Sequence, residues 1–341
     1  MKGPGARNRL LRIVPGFLVS ALAVLLLALA IDWHKTVDAW KGAQLWTLAP
    51  ALLLILCAMF TRAIAWRCLM GNAVPLGRCF WNLNISYLLN GLLPFRLGDV
   101  ARAYLVSRDR AGAPAQVTTG AALSAVALER MFDLIFTCVL VLSIFPLIAG
   151  AEWGGQILIS AFGLALFFFL GLLLLGSSRM RILKLAAAVA EKSPFLRPVL
   201  EMLEHFLNGL AEVRNLRRSI PAFFWIVVTM SLWAAEYWIV LRGFFPAAPV
   251  YWGLLSLVGG LIGVALPSAP SSLGVFEGFV TVVLTMGGLS RDSALAYAIA
   301  IHLLNIVALS ALGALGLVLE GQSLGSILAA AKPSEEAAAE G

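Results

Sequence analysis

The 341-residue chain is 61% hydrophobic and only 13% charged, with a formal net charge of +7 and a mean hydropathy of +0.92. A water-soluble domain is nearer half apolar and a quarter charged, so 25 basic and 18 acidic residues are too few to cover a soluble surface of this size. The apolar stretches are continuous rather than alternating, which argues against a transmembrane β-barrel and for an all-α, polytopic membrane protein.

In chain order, Lys2, Arg7, Arg9 and Arg12 precede the uncharged run Ile13–Ile31. Its 19 residues can span a bilayer at about 1.5 Å per residue, so it reads as a first helix rather than a cleaved signal peptide. Five further spans are expected at about 46–66, 118–149, 156–176, 220–241 and 294–319. Between the fourth and fifth, Ser177–Ser219 carries eight basic residues against four acidic ones. The positive-inside rule puts this stretch and the N-terminus in the cytoplasm. Within it, Leu196, Leu200, Leu203, Phe206 and Leu210 fall near helical spacing, so 179–219 reads as a cytoplasmic amphipathic segment. Residues 1–331 are expected to form a single transmembrane domain, followed by a disordered acidic tail, 332–341.

The basic residues flank spans and form no nucleic-acid motif. Their expected partners are membrane lipids, and no nucleic acid. Arg62 and Arg67, near the end of the second span, are expected to snorkel to headgroups. Cys57, Cys68, Cys79 and Cys138 have no CxxC spacing and read as packing residues, with no disulfide or zinc site.

Two apolar segments do not fit a count of six full spans. Cys79–Arg96 is too short to cross and is bounded by Arg78 on one side and Arg96, Arg102, Arg108 and Arg110 on the other. Gly243–Phe276 runs 34 residues without a charge; one helix of that length would reach about 50 Å, so it must break. Cys79–Arg96 and Tyr251–Thr285 are each expected to be a re-entrant hairpin. Both carry Pro-x-x-Leu-Gly, from Pro94 to Gly98 and from Pro270 to Gly274. Proline removes a backbone donor and glycine permits unusual dihedrals, so Pro94, Gly98, Pro267, Pro270 and Gly274 are the expected break residues. Each hairpin follows a full span, and the two leading spans run in opposite directions, the pattern of an inverted repeat with a transport site between the halves. The freed backbone groups require a protein or wet-cavity lining, so the breaks should face the interior.

Ionisable groups inside a membrane domain are costly and mark sites. Glu129 and Asp133 lie four apart on one helix face, and Arg130 lies three from Asp133. Arg130 neutralises one of the carboxylates and leaves a local charge near −1. The cluster reads either as a buried ion pair that sets helix register or as a headgroup contact. Arg96-Leu97-Gly98-Asp99-x-x-Arg102 suits phosphate, with two guanidiniums beside a helix N-terminus; the alternative is a helix start capped by Asp99. Glu277 is the first charge after the long neutral run. Glu236 and His302 read as buried polar groups held by hydrogen bonds. Asn305 is placed to bond across helices, and Asn82, Asn84, Ser86 and Asn90 make the first hairpin polar. No nucleotide loop, metal cluster or nucleophile–base pair is present in the pattern, so no catalytic residue, metal or cofactor is expected.

Three motifs, Asn90-Gly91-Leu92-Leu93-Pro94-Phe95-Arg96-Leu97-Gly98-Asp99-Val100-Ala101-Arg102, Glu129-Arg130-Met131-Phe132-Asp133 and Leu266-Pro267-Ser268-Ala269-Pro270-Ser271-Ser272-Leu273-Gly274-Val275-Phe276-Glu277, together resemble the lysylphosphatidylglycerol synthase transmembrane (flippase-like) family. Bifunctional members of that family join this module to a cytoplasmic aminoacyl-transferase domain; the present sequence resembles the standalone members, linked to polyprenyl-phosphate sugars, hopanoids or other lipids. The family's usual Pro-Gly-Arg-Leu-Gly is Pro-Phe-Arg-Leu-Gly here, and its Ala-Pro-Gly-Gly-Leu/Ile-Gly is Ala-Pro-Ser-Ser-Leu-Gly, changes that stiffen the turns or narrow the cavity.

The resemblance implies a non-enzymatic lipid flippase-like transporter of the cell inner (plasma) membrane. Arg96, Arg102 and Arg130 would contact phosphate, while Asp99, Glu129, Asp133 and Glu277 would balance charge or meet a cationic headgroup. The alternatives are a membrane subunit that recruits a separate lipid- or polyprenyl-phosphate-modifying enzyme, or an integral-membrane transferase.

Overall fold

Continuous apolar sequence with few breakers gives long helices, and the computed structural model is helical throughout its described residues. These are 33–93, 96–108, 117–149, 215–266 and 269–322, with Leu25, Met180, Arg181, Leu183 and Lys184. The expected spans at 13–31 and 156–176, most of the amphipathic segment, the acidic tail, Pro94 and Pro267 lie outside them.

The helices are α1 (Trp33–Lys41), α2 (Leu48–Leu69), α3 (Leu76–Leu92), α4 (Leu97–Val106), α5 (Thr119–Ala149), α6 (Leu216–Phe244), α7 (Val250–Ala265), α8 (Val275–Met286) and α9 (Arg291–Leu319). Among the described residues, Leu45–Leu69, Leu216–Phe244 and Arg291–Leu319 are long and apolar enough to cross a membrane. The 31-residue α5 has the length but carries the Glu129–Asp133 charges. The side chains are distributed inside-out: Leu53, Phe60, Phe224, Val307 and Val318 are exposed, whereas Arg62, Arg102, Glu129 and Glu236 are buried. A surface of that kind suits hydrocarbon rather than water.

The chain repeats one four-helix pattern, α2–α5 and then α6–α9. In each, a span leads into two shorter helices separated by a break, and a long helix follows. The leading spans α2 and α6 pack together antiparallel. Gln44, just before α2, donates its backbone N–H to the Gly243 carbonyl at the end of α6, and Arg218 at the start of α6 lies against Gly71 just past α2. At mid-length, the Thr61 and Thr229 hydroxyls meet at 2.8 Å. The long helices also reach across to the other half, α9 against α3 and α5 against α7. This antiparallel duplication is the geometry of an inverted repeat.

Both hairpins break in the same way. The last helical turn ends on Leu93 in the first and Leu266 in the second, each extended (ψ 143° and 140°), because a residue before proline is excluded from the helical region. The returning helix starts after a residue with positive φ: Arg96 at 51° before α4 and Gly274 at 80° before α8; Ser272, at 55°, precedes Leu-Gly as Arg96 does. The second break is longer and holds a short 3-10 turn, Pro270–Ser272. One correction follows for the first hairpin. It does not end at Arg96; its returning arm is α4, so Arg96 sits at the tip and Arg102 on the arm rather than on a flank.

Close packing between the halves depends on glycine. A Cβ on Gly313 of α9 would stand 2.4 Å from the Leu88 Cβ and 2.7 Å from the Asn84 carbonyl oxygen of α3. Gly313→Val is therefore expected to part α3 from α9 and cost about 1–3 kcal/mol, read as a lower midpoint of thermal unfolding in detergent.

Candidate functional site

Three helices bring their charges to one point. Arg62 comes from the middle of α2, Asp99 and Arg102 from α4, and Glu129, Arg130 and Asp133 from α5. Glu129 accepts from Arg62 Nε and Nη2 at 3.0 and 2.8 Å, and from Arg102 Nη1 and Nη2 at 3.1 and 3.2 Å. Arg62 also reaches Asp133, which pairs with Arg130 at 3.1 Å. Arg130 in turn donates to both oxygens of Asp99 at 3.1 and 2.9 Å, and Arg102 closes the circuit on Asp99 at 3.5 Å. The six groups form a closed ring of alternating sign: Glu129, Arg62, Asp133, Arg130, Asp99, Arg102.

The ring corrects three expectations. Three guanidiniums face three carboxylates, so its formal charge is zero rather than −1. Arg62 does not snorkel; it is 2% exposed and bonded on two sides. Asp99 is not the cap of α4, since Arg96 holds that position and Asp99 lies in the first turn. Arg62 had a legible signal. It shares a helical stripe with the buried Ile55, Met59 and Trp66, while Leu53, Leu56 and Phe60 mark the exposed side. Arg67, five residues on, points elsewhere and donates to the Val74 carbonyl at 3.0 Å.

The ring has a dry side and a wetter side. Arg102 and Glu129 are fully buried, and the Arg102 guanidinium also lies 4.8 Å from the centre of the Trp66 ring. Arg130 is 30% exposed, with Asp99 and Asp133 partly accessible beside it. Ser86 Oγ donates to Asp99 at 3.2 Å, tying the polar stripe of α3 to the ring. Gly98 makes that approach possible, because a Cβ there would lie 2.1 Å from the Ser86 carbonyl oxygen. Asn84 instead bonds within its own helix, to the Phe80 carbonyl.

The two breaks meet next to this wetter side. Arg96 Nη2 donates to the Val264 carbonyl at the end of α7, at 2.8 Å. Ser271 Oγ donates to the Gly91 carbonyl at the end of α3, at 3.0 Å. Each tip thus satisfies a carbonyl that the other hairpin's break leaves without a helical partner. Arg96 has no carboxylate within ion-pair distance among the described residues, although it lies within electrostatic range of Arg130 and Asp99. Among the described residues it is a cation at the junction with no ion-pair partner. Ser271 and Ser272, where the family pattern has two glycines, both adopt positive φ (57° and 55°).

Glu277 lies apart from the ring. One of its oxygens accepts the Gly274 N–H at 2.7 Å and caps α8, and the other meets His302 Nδ1 at 2.7 Å. Of the expected site residues, the ring unites Asp99, Arg102, Glu129, Arg130 and Asp133; Arg96 stands at its open edge, and Glu277 belongs to the second half. Among the described residues no group of histidine, cysteine and acidic side chains is arranged to hold a metal ion.

Removing one member of a buried ion-pair ring leaves its partners uncompensated, a loss of about 3–5 kcal/mol. Glu129→Gln should lower the unfolding midpoint sharply and reduce the yield of folded protein on size-exclusion chromatography. Ser272→Gly should act in the opposite sense. Relieving a left-handed non-glycine residue returns about 1 kcal/mol, seen as a higher midpoint in the same assay.

A family model described as the lysylphosphatidylglycerol synthase TM region matches residues 13–313. No curated protein and no solved structure gives a significant match. The match covers most of the 341 residues, and the apolar helices, the paired breaks and the buried charges occupy it. The chain belongs to the lysylphosphatidylglycerol synthase transmembrane-region family and is a membrane protein related to lipid modification and flipping.

Proposed function

We propose that the protein is a lipid flippase-like transporter, which moves a phosphate-bearing headgroup past the junction of two re-entrant hairpins while the lipid tails stay in the bilayer. The observation that carries this reading is Arg96: a guanidinium at a helix break, with one carbonyl partner and no carboxylate partner among the described residues. A phosphate there would gain charge-assisted hydrogen bonds from Arg96 and from the partly exposed Arg130. The start of α4 adds backbone N–H groups that have no intrahelical acceptor.

The roles divide along the exposure gradient. Arg102 and Glu129 hold the ring together, with Arg62 beside them. Arg130, Asp99 and Asp133 present its accessible edge, where a passing phosphate can exchange with a carboxylate as partner of Arg130. Glu277, at the other break, would meet a cationic portion of the headgroup. The reciprocal tip contacts of Arg96 and Ser271 would open as the headgroup enters. In this reading no covalent chemistry is performed by the chain, and the membrane is the cell inner membrane with the N-terminus on the cytoplasmic side.

The test is leaflet exchange in vesicles of phosphatidylcholine doped with fluorescent phosphatidylglycerol or its aminoacylated form. Arg96→Gln removes a charged hydrogen bond of about 1.5–3 kcal/mol, so transfer should fall roughly 10- to 100-fold. The unfolding midpoint should barely move, because Arg96 is only partly buried. Unchanged exchange in Arg96→Gln would remove the headgroup site from this junction. Exchange absent from the wild-type protein, with modified lipid formed when a donor is added, would favour an enzyme. Neither activity without an added enzyme would favour a recruiting subunit.

A further inference from the structure

The second half of the molecule buries a carboxyl group that the ring does not use. Glu236 of α6 is fully buried. Its Oε1 accepts from Asn305 Nδ2 of α9 at 2.9 Å, and its Oε2 has no hydrogen-bond partner. Asn305 is equally incomplete. Its amide nitrogen donates both to Glu236 and to the Ile301 carbonyl, each at 2.9 Å, and its Oδ1 has no partner. Two carbonyl-type acceptors fix the amide nitrogen in place, so exchanging Nδ2 and Oδ1 would put acceptor against acceptor.

The junction therefore holds two buried orphan oxygens, with no donor for either among the described residues. A proton on Glu236 Oε2 supplies the missing O–H, and a carboxylic acid and a primary amide then match edge to edge, one N–H···O and one O–H···O. Among the described residues no cation is paired with Glu236. Tyr237 of α6 and Tyr297 of α9 are the titratable groups within its electrostatic range among the described residues; His302, three residues from Asn305 on α9, is already paired with Glu277 of α8. The helix α7 carries no charged residue. The charged residues at the middles of α2 and α5, Arg62, Glu129, Arg130 and Asp133, are engaged in the ring. A sodium ion would need several more oxygens than this pair provides.

The surroundings link this pair to the break. His302 and Asn305 are three apart and share a face of α9. His302 bonds Glu277, which caps α8 at the second break, and it stacks on Phe276 with ring centres 4.1 Å apart. Asn305 is the central residue of α9, at the depth where transporters of inverted-repeat design place their coupling sites.

We propose that Glu236 and Asn305 form a proton-binding site at mid-membrane, that His302 and Glu277 are the station through which its proton exchanges with the second break, and that lipid movement is coupled to that proton. Proton uptake forms one O–H bond at Glu236 and cancels one negative charge; release on the other side reverses both, with no electron transfer. The coupling rests on the flippase-like reading above, whereas the proton site stands without it.

Two measurements on the full chain separate the two. Infrared spectroscopy of the reconstituted protein should show a carboxylic-acid C=O band that Glu236→Gln removes; a spectrum unchanged by the substitution overturns the site. In the fluorescent phosphatidylglycerol vesicles, a gradient of one pH unit is worth about 1.4 kcal/mol per proton. It should shift the steady-state leaflet ratio by up to about tenfold with the wild-type protein and leave it level with Glu236→Gln, which still equilibrates lipid. Lipid exchange that ignores the pH gradient, or that follows a sodium gradient instead, overturns the coupling and leaves the transport reading intact. No exchange in the wild-type protein overturns the transport reading and the coupling together, and the infrared band then decides the proton site alone.

Discussion

A closed ring of six charges, alternating in sign, holds three helices of the first half in a single register. Each arginine of the ring touches two carboxylates and each carboxylate two arginines, so no member stands alone in the apolar interior. Burying even one isolated charge there would be prohibitive, and burying a neutral, fully paired set is not. The arrangement makes the positions of α2, α4 and α5 interdependent. A shift of α4 by one turn would strand Asp99 and Arg102 and leave Glu129 with Arg62 alone and Arg130 with Asp133 alone.

That dependence places the first break. With α4 held by Asp99 and Arg102, the tip ahead of it must turn at Arg96, and Gly98 must lie against the backbone of α3. The guanidinium of Arg96 is then left outside the ring, directed at the second hairpin. The ring is neutral, so Arg96 supplies the net positive charge of the junction. The contrast is between arginines that each meet two carboxylates inside and one at the tip that meets a carbonyl and no carboxylate among the described residues.

The two halves use one backbone solution with different chemistry. Both hairpins end their first arm on a leucine forced out of helical geometry by the following proline, and both resume after a residue with positive φ. The first half surrounds its break with a charged network. The second has serines at the tip, a glutamate–histidine pair beside it and a carboxyl–amide pair in the core. In the proposed mechanism this asymmetry on a symmetric frame divides the work, the first half holding the ionic headgroup and the second the proton.

Much of this was legible in the chain. The scarcity of charge, the overlong neutral run and the two Pro-x-x-Leu-Gly motifs placed the breaks, because helix length and proline geometry are local properties. The i, i+3 and i, i+4 spacings put Arg130, Glu129 and Asp133 together for the same reason. The place of Arg62 near the end of a span suggests snorkelling, and only its stripe-mates Ile55, Met59 and Trp66 show that it faces inward. The returning arm of the first hairpin was missed because its charges resemble a cytoplasmic flank when their partners are not in view.

Composition and spacing alone determined an α-helical membrane protein with paired helix breaks and a few charges at unusual places, since these follow from solvent preference and the helical period. Tertiary structure decided which of those charges cancel. Arg62 joins Glu129 across 67 positions, Arg130 joins Asp99 across 31, and Asn305 joins Glu236 across 69. No local rule relates such residues; the packing of antiparallel halves brings them together, and in an apolar interior the pairing determines what each charge can do.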